Sequence, residues 1–83
     1  MSNFDRLVNE QLKTMERLLF LQSEIERCQE IEQQLRSLEE EAELESLQHE
    51  IMIMKNNLSE IQQIFEDQTE EVIRSYQQSH INI

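Results

Sequence analysis

The sequence contains no glycine and no proline, and its 83 residues include a single cysteine. Glycine and proline supply most tight turns and bulges, so their absence disfavours folds that are built from many turns. One cysteine cannot form an internal disulfide, and no apolar run approaches the length of a transmembrane helix. The N-terminal residues also lack the basic-then-apolar pattern of a secretory signal. We therefore expect a cytoplasmic protein with few, long elements.

Basic residues are scarce as well. The chain has 18 acidic and 7 basic residues, which give a net charge of −11. A nucleic-acid-binding protein needs cationic side chains to release counterions, and anionic membranes attract cationic proteins for a related reason. We therefore expect neither a nucleic-acid nor a membrane partner. Residues 1–37 hold 5 basic and 7 acidic groups, whereas residues 38–83 hold 2 and 11, so basic or neutral proteins are the expected partners.

Glutamate, glutamine and leucine are abundant, a composition typical of long helices and coiled coils. Apolar residues step by three or four through the first half of the chain, which predicts an amphipathic helix: Phe4, Val8, Leu12, Met15, Leu18/Leu19, Leu21, Ile25, Cys28, Ile31, Leu35, Leu38 and Ala42. A second series alternates strictly by three and four, as the heptads of a coiled coil do: Leu44, Leu47, Ile51, Met54, Leu58, Ile61 and Phe65, continued by Gln68 and Val72.

The two series do not join in phase between Arg36 and Glu45. One continuous seam would need a three-residue stammer there, whereas the segment from Ser37 to Glu40 matches a capping box. We predict an all-α fold, an antiparallel two-helix hairpin with a turn near residues 36–43. The five glutamates from Arg36 to Glu45 favour helix, so one long continuous helix in a coiled coil is the alternative.

The hairpin prediction treats residues 1–83 as a single helical domain. Its first helix covers about residues 3–36 and its second about residues 38–77, followed by a frayed tail at about 78–83.

Two apolar runs suggest self-association. Each places four apolar residues at successive steps of about 100°, which encircle a helix, and one partner helix can cover only one side. A turn near residue 36 would put the two runs at the same level, and a homodimer forming a four-helix bundle, or a higher homo-oligomer, would then cover both. The predicted self-association or partner interface consists of Leu18, Leu19, Phe20, Leu21, Ile51, Met52, Ile53 and Met54.

Residues for catalysis, cofactor binding or metal binding are not found. His49 and His80 are too far apart to act together on one helix, and Cys28 is expected to be a small core hydrophobe. Glu60 and Gln63 have the acid-x-x-amide spacing with which some helical phosphatases of response regulators position water. Such spacings arise by chance in a chain rich in both residues, so this activity is a remote alternative and no enzyme is expected.

The N-terminal FDRLVNEQLKTM and the segment LLFLQSEIERCQEIE, residues 18–32, resemble the YgaB-like family of small proteins from spore-forming Gram-positive bacteria. The resemblance implies a bacterial cytosolic protein and assigns no activity or site residues. From the residues themselves we expect a non-enzymatic protein–protein interaction or small regulatory module, acting through apolar helix faces and an acidic helix. The alternative is a structural bundle that assembles with itself and has no other partner.

Overall fold

Two long helices pack against each other in opposite directions. The structure, a computed structural model, describes residues 3–81 and the side chains of residues 3–78. Helix α1 spans Asn3–Ser37 and helix α2 spans Glu41–Ile81. The molecule measures 65 × 15 × 14 Å, the shape of a hairpin of two helices. The predicted all-α hairpin is confirmed, and the continuous helix is not adopted.

The turn between the helices closes with the hydrogen bonds of a Schellman motif. The N–H groups of Glu40 and Glu39 donate to the carbonyls of Leu35 and Arg36 at 3.1 and 3.3 Å. The motif satisfies the last carbonyls of a helix and requires a left-handed residue, which is usually glycine. Here that residue is Glu39, with a φ of 58°. A side chain in this conformation costs about 1 kcal/mol, so the turn forms without its preferred residue.

The boundaries of the helices follow from this turn. Ser37 is the last residue of α1 and not the cap of the second helix, as its place in a capping-box pattern predicted. The carbonyl of Glu40 accepts a hydrogen bond from the N–H of Leu44 at 2.9 Å, which makes Glu40 the N-cap residue. Helix α2 therefore begins at Glu41, three residues after the predicted start at residue 38, because Glu39 interrupts the helical conformation.

At its other end α2 extends beyond the expected position. The helix continues past residue 77 to Ile81, so the tail predicted as frayed at 78–83 is helical over its first part. Residues 82 and 83 lie outside the described residues. The asparagine pair Asn56 and Asn57 does not interrupt α2. Both residues are poor helix formers, but the seam residues on either side remain packed against α1.

A seam of buried and half-buried residues runs along the whole hairpin. The seam residues of each helix alternate strictly by three and four, which is the heptad pattern. In α1 they are Phe4, Leu7, Gln11, Thr14, Leu18, Leu21, Ile25, Cys28, Glu32 and Leu35. In α2 they are Leu44, Leu47, Ile51, Met54, Leu58, Ile61, Phe65, Gln68, Val72 and Ser75.

The seam of α1 differs from its prediction near the N-terminus and again near the turn. Leu12, Met15 and Ile31, which were assigned to the apolar series, are exposed. Their places are taken by polar residues at heptad spacing, among them Gln11 and Thr14. Once most seam positions are apolar, the rigid heptad register determines which residues face α2, regardless of the polarity of each one.

Three ion pairs among the described residues stabilise α1 itself. Arg6 pairs with Glu10 at 3.1 Å. Further along the helix, Arg27 pairs with Glu24 at 2.8 Å, and Arg36 pairs with Glu32 at 3.6 Å. All three pairs span three or four residues of the same helix, a geometry worth about 0.3–0.5 kcal/mol each. The pairing of the helices therefore depends mainly on burial along the seam.

Candidate functional site: apolar surfaces of the hairpin

The two apolar runs named as the predicted interface each divide between the seam and the surface. In the first run, Leu18 and Leu21 face α2, and Leu19 and Phe20 are exposed. In the second run, Ile51 is buried and Met54 is half-buried in the seam. Met52 and Ile53 are exposed. The hairpin thus leaves uncovered four of the eight residues.

The runs do not lie at the same level, contrary to the prediction. The ring of Phe4 contacts that of Tyr76, with centroids 5.9 Å apart, and Gln11 donates a hydrogen bond to Thr69. Continued toward the turn, this register places Leu19 beside residues 60–61. The second run begins about seven residues nearer the turn, an offset of about 11 Å along the axis. The offset arises because the chain turns at residues 38–40 and not at 36.

The surface on one side of the seam is charged, and we call it the groove face. A groove of about 600 Å³ on this face is lined by Lys13, Glu16, Arg17, Phe20, Leu21, Asn57, Glu60 and Ile61. A smaller groove of about 200 Å³ is lined by Asn3, Arg6, Leu7, Glu71, Arg74, Ser75 and Gln78. Phe20, which is 68% exposed, is the largest apolar side chain of the first groove. Charged side chains of both signs surround it.

The surface on the opposite side of the seam carries few charges, and we call it the stripe face. On α1 its apolar stripe consists of Val8, Leu12, Met15 and Leu19, and the last three are 51%, 40% and 59% exposed. Tyr76 of α2 extends this face at the open end of the hairpin, where it contacts Phe4. The stripe residues are spaced by three or four positions, so they lie on one side of α1, and the residues that line the grooves lie on the other.

The charge content of the two faces differs over the half of the hairpin that holds the stripe. Heptad spacing assigns to the stripe face the residues that flank the seam on that side. They are Asp5, Val8, Leu12, Met15, Leu19 and Gln22 from α1, and Lys55, Ser59, Gln62, Glu66, Thr69, Ile73 and Tyr76 from α2. On the groove face, the charged residues are Arg6, Glu10, Lys13, Glu16, Arg17, Glu24, Glu60, Asp67, Glu71 and Arg74. The stripe face has the charge-depleted composition of an interface core, and the groove face does not.

A cluster of polar side chains interrupts the apolar seam beneath the stripe. Thr14, which is 5% exposed, donates its hydroxyl hydrogen bond to the carbonyl of Glu10 at 3.2 Å. Gln11 donates to the hydroxyl oxygen of Thr69. The Oε1 atom of Gln68 is buried and has no hydrogen-bond partner among the described residues. Sequence reasoning missed Gln11 and Thr14 because it followed apolar residues, although a strict heptad extended from Leu18 toward the N-terminus reaches both.

Groups with potential reactivity are dispersed. Across the described residues, no cluster of three or more His, Cys, Asp or Glu side chains could hold a metal ion. Cys28 is a half-buried free thiol in the seam, and His49 is exposed. Gln63 donates to Asp67 at 3.2 Å on the exposed surface of α2, while Glu60 lines the larger groove. Within the part of the chain that the structure describes, neither helix is apolar enough over sufficient length to cross a membrane.

Comparisons with known proteins agree with the resemblance seen in the sequence. The family model described as YgaB-like protein matches residues 3–79, which include nearly all of both helices. The uncharacterised protein YgaB of Bacillus subtilis (strain 168) is 52% identical over 79 residues, covering 95% of this chain and 69% of the relative. No solved structure matches. The chain therefore belongs to the YgaB-like family.

Proposed function

We propose that this chain is a non-enzymatic helical interaction module, which binds proteins through apolar side chains that lie outside the seam of the hairpin. One observation carries the proposal: a set of large hydrophobic side chains is exposed on a molecule only two helices wide. They are Leu12, Met15, Leu19, Phe20, Ile31, Leu38, Met52, Ile53, Ile64, Ile73 and Tyr76.

Single exposed apolar residues are common and require no explanation, but contiguous apolar surface is usually a binding site. Leu12, Met15 and Leu19 form such a surface, because their spacing of three and four residues aligns them along one side of α1. On the groove face, Phe20 forms a second apolar surface with Leu21 and Ile61, which line the larger groove beside it. An extended hairpin cannot fold back to cover either surface, since its two helices already contact each other along the seam. Protein partners, including further copies of the chain, are the natural way to bury them.

The charge distribution indicates which other proteins would be favoured. Residues 38–83, which contain all of α2, hold 11 acidic and 2 basic groups. A basic or neutral protein would approach this surface without repulsion, whereas an acidic one would be repelled. The chain has one cysteine and so cannot form an internal disulfide. Because disulfides are rare in cytoplasmic proteins, this supports a cytoplasmic location for such an interaction.

Affinity capture with matched variants tests the proposal. The chain is immobilised, and a lysate of Bacillus subtilis, the source of its relative YgaB, is passed over it at moderate salt. We expect a specific protein to be retained and to be lost when Phe20→Glu and Ile53→Glu are combined, since each change places a charge on an apolar contact. Ser23→Glu adds the same charge at an exposed polar position and should retain the protein. Retention that is equal for all variants, or no specific retention, would contradict the proposal.

The alternative of a purely self-assembling bundle makes a different prediction. It requires one fixed oligomer in which the exposed apolar residues of both faces are buried. Charge substitutions on either face, at Leu19 or at Phe20, would then dissociate that oligomer equally. Unequal effects of these two neighbouring substitutions favour a module that keeps one face for other proteins.

A further inference from the structure

We propose that the stripe face binds a second copy of this chain, with α1 packed antiparallel against α1 of the copy. The inference rests on the proposed function, since it names one of the protein partners and the face that binds this partner. It leaves the groove face, where Phe20 lines the larger groove, available to other proteins.

Charge favours this face over the rest of the surface. Two copies carry −11 each and repel one another, so a stable contact must avoid opposing acidic groups. The stripe of Val8, Leu12, Met15 and Leu19 contains no charged residue, and Gln22 continues it toward the turn. On the groove face, a second copy would have to desolvate several charged side chains, and that cost often exceeds the attraction that is gained. Self-association is therefore least opposed at the stripe.

The stripe is also suited to pairing with itself. Its residues are separated by four, three and four positions, and this spacing is the same in both directions along the chain. A twofold axis that passes between Leu12 and Met15 would place Leu12 opposite Met15 of the copy and Val8 opposite Leu19 of the copy. An interface between identical subunits requires such a self-complementary patch. A parallel alignment would instead place Glu26, which lies further along the same side of α1, against Glu26 of the copy.

The expected contact is large enough for a stable dimer. Antiparallel pairing centred between Leu12 and Met15 overlaps about residues 3–24 of the two α1 helices, a length of about 33 Å. With the neighbouring segments of α2 included, the overlap is two helices wide, about 20 Å. The register of Gln11 with Thr69 places Glu66 level with the axis, so Glu66 against Glu66 of the copy is the one acidic pair of this overlap, and its repulsion is screened by salt. The footprint is then about 660 Å² on each copy, or about 1,300 Å² in total, which lies within the range of specific protein interfaces.

The oligomeric state of matched variants tests the choice of face. Light scattering or sedimentation equilibrium should show the wild-type chain at about twice its mass of 10.1 kDa. Met15→Glu places a charge beside the proposed axis, so we expect the dissociation constant to rise about tenfold or more. Phe20→Glu introduces the same charge on the groove face and should leave the constant unchanged. Both residues are exposed in the hairpin, so helicity measured by far-UV circular dichroism should persist in each variant.

Energy transfer between copies tests the orientation. A single label on Ser37→Cys, in a chain with Cys28→Ser, marks the end of α1 nearest the turn. Antiparallel pairing at the stripe would hold the two labels about 70 Å apart, because each lies about 23 residues from the axis. A parallel pair would bring them within about 20 Å. We expect little transfer between donor-labelled and acceptor-labelled copies.

Each other outcome overturns the inference. If the wild-type chain is monomeric at high micromolar concentration, a second copy is not its partner. A dimer that survives Met15→Glu and is lost with Phe20→Glu uses the groove face, and strong transfer between turn labels excludes the antiparallel pair. None of these results decides the broader proposal, which stands or falls on whether the capture experiment retains a protein that depends on Phe20 and Ile53.

Discussion

Replacing Gln68 with leucine should stabilise the hairpin, although glutamine occupies this seam position in the native sequence. The Oε1 atom of Gln68 is buried without a hydrogen-bond partner among the described residues. The residue follows Ile61 by seven positions in the same register, and Ile61 is 9% exposed. Leucine has a similar size and no polar atom, so it fits the site with little change in packing.

The magnitude follows from the missing hydrogen bond. A buried acceptor without a donor costs about 1–3 kcal/mol, and Gln68→Leu removes that cost. The bond from Gln11 to Thr69 remains, because neither residue is altered. We therefore expect the free energy of unfolding to rise by about 1–3 kcal/mol. For a domain of this size, each kcal/mol raises the melting temperature by about 4–8 °C.

Urea unfolding, followed by circular dichroism at one fixed protein concentration, measures the change. A fixed concentration is needed because association would raise the apparent stability. Gln48→Leu makes the same exchange at an exposed position of α2, outside the overlap of the proposed dimer, and should change stability by no more than about 0.5 kcal/mol. Gln11→Leu, which removes the donor to Thr69, should be neutral or destabilising.

The contrast between Gln68 in the seam and Gln48 on the surface is the critical result. If Gln68→Leu destabilises the hairpin, or changes its stability no more than Gln48→Leu does, then the Gln68 amide is satisfied and the seam register inferred from the Gln11–Thr69 contact is incorrect. If the gain is observed, the native glutamine costs stability. A polar residue within a heptad seam is known to select register and oligomer state at such a cost.

Three further predictions concern the turn, the core and a surface ion pair. Glu39→Gly should raise the free energy of unfolding by about 1 kcal/mol, because glycine adopts a φ of 58° without steric cost. Glu45→Gly, beyond the first turn of α2, should lower it by about the same amount, and denaturant unfolding compares the two variants. Ile51→Ala should destabilise by about 2–4 kcal/mol, since Ile51 is 5% exposed, whereas Ile53→Ala should cost less than about 1 kcal/mol in the same assay. Arg36→Ala should cost only about 0.3–0.5 kcal/mol at low salt and less at high salt, because the Arg36 side chain is 62% exposed where it pairs with Glu32.

The seam of α2 could be predicted from the sequence because its residues from Leu44 to Phe65 are apolar at strict heptad spacing. The seam of α1 could be predicted only in part. Near its N-terminus, Gln11 and Thr14 occupy seam positions, and each has an apolar neighbour one residue later. An apolar pattern followed residue by residue moves onto those neighbours, Leu12 and Met15, and so assigns exposed residues to the core.

The turn was placed in the correct segment, but for a different physical reason. Capping by Ser37 was expected to start the second helix, whereas the turn depends on a left-handed glutamate, Glu39. Most residues avoid that conformation, so its position could not be read from the glutamate-rich segment itself. The offset between the two apolar runs went unseen for the same reason, and with it the separation of the surface into a stripe face and a groove face.

The distance between labels near the open end of the two helices tests the hairpin most directly. Labels are attached to Glu10→Cys and Glu70→Cys in a chain with Cys28→Ser, and labelled chains are diluted with unlabelled ones so that only distances within a chain are measured. Helix axes about 10 Å apart would hold the two labels within about 30 Å of each other. A continuous helix would separate them by about 90 Å, and that distance would contradict the antiparallel hairpin on which both faces depend.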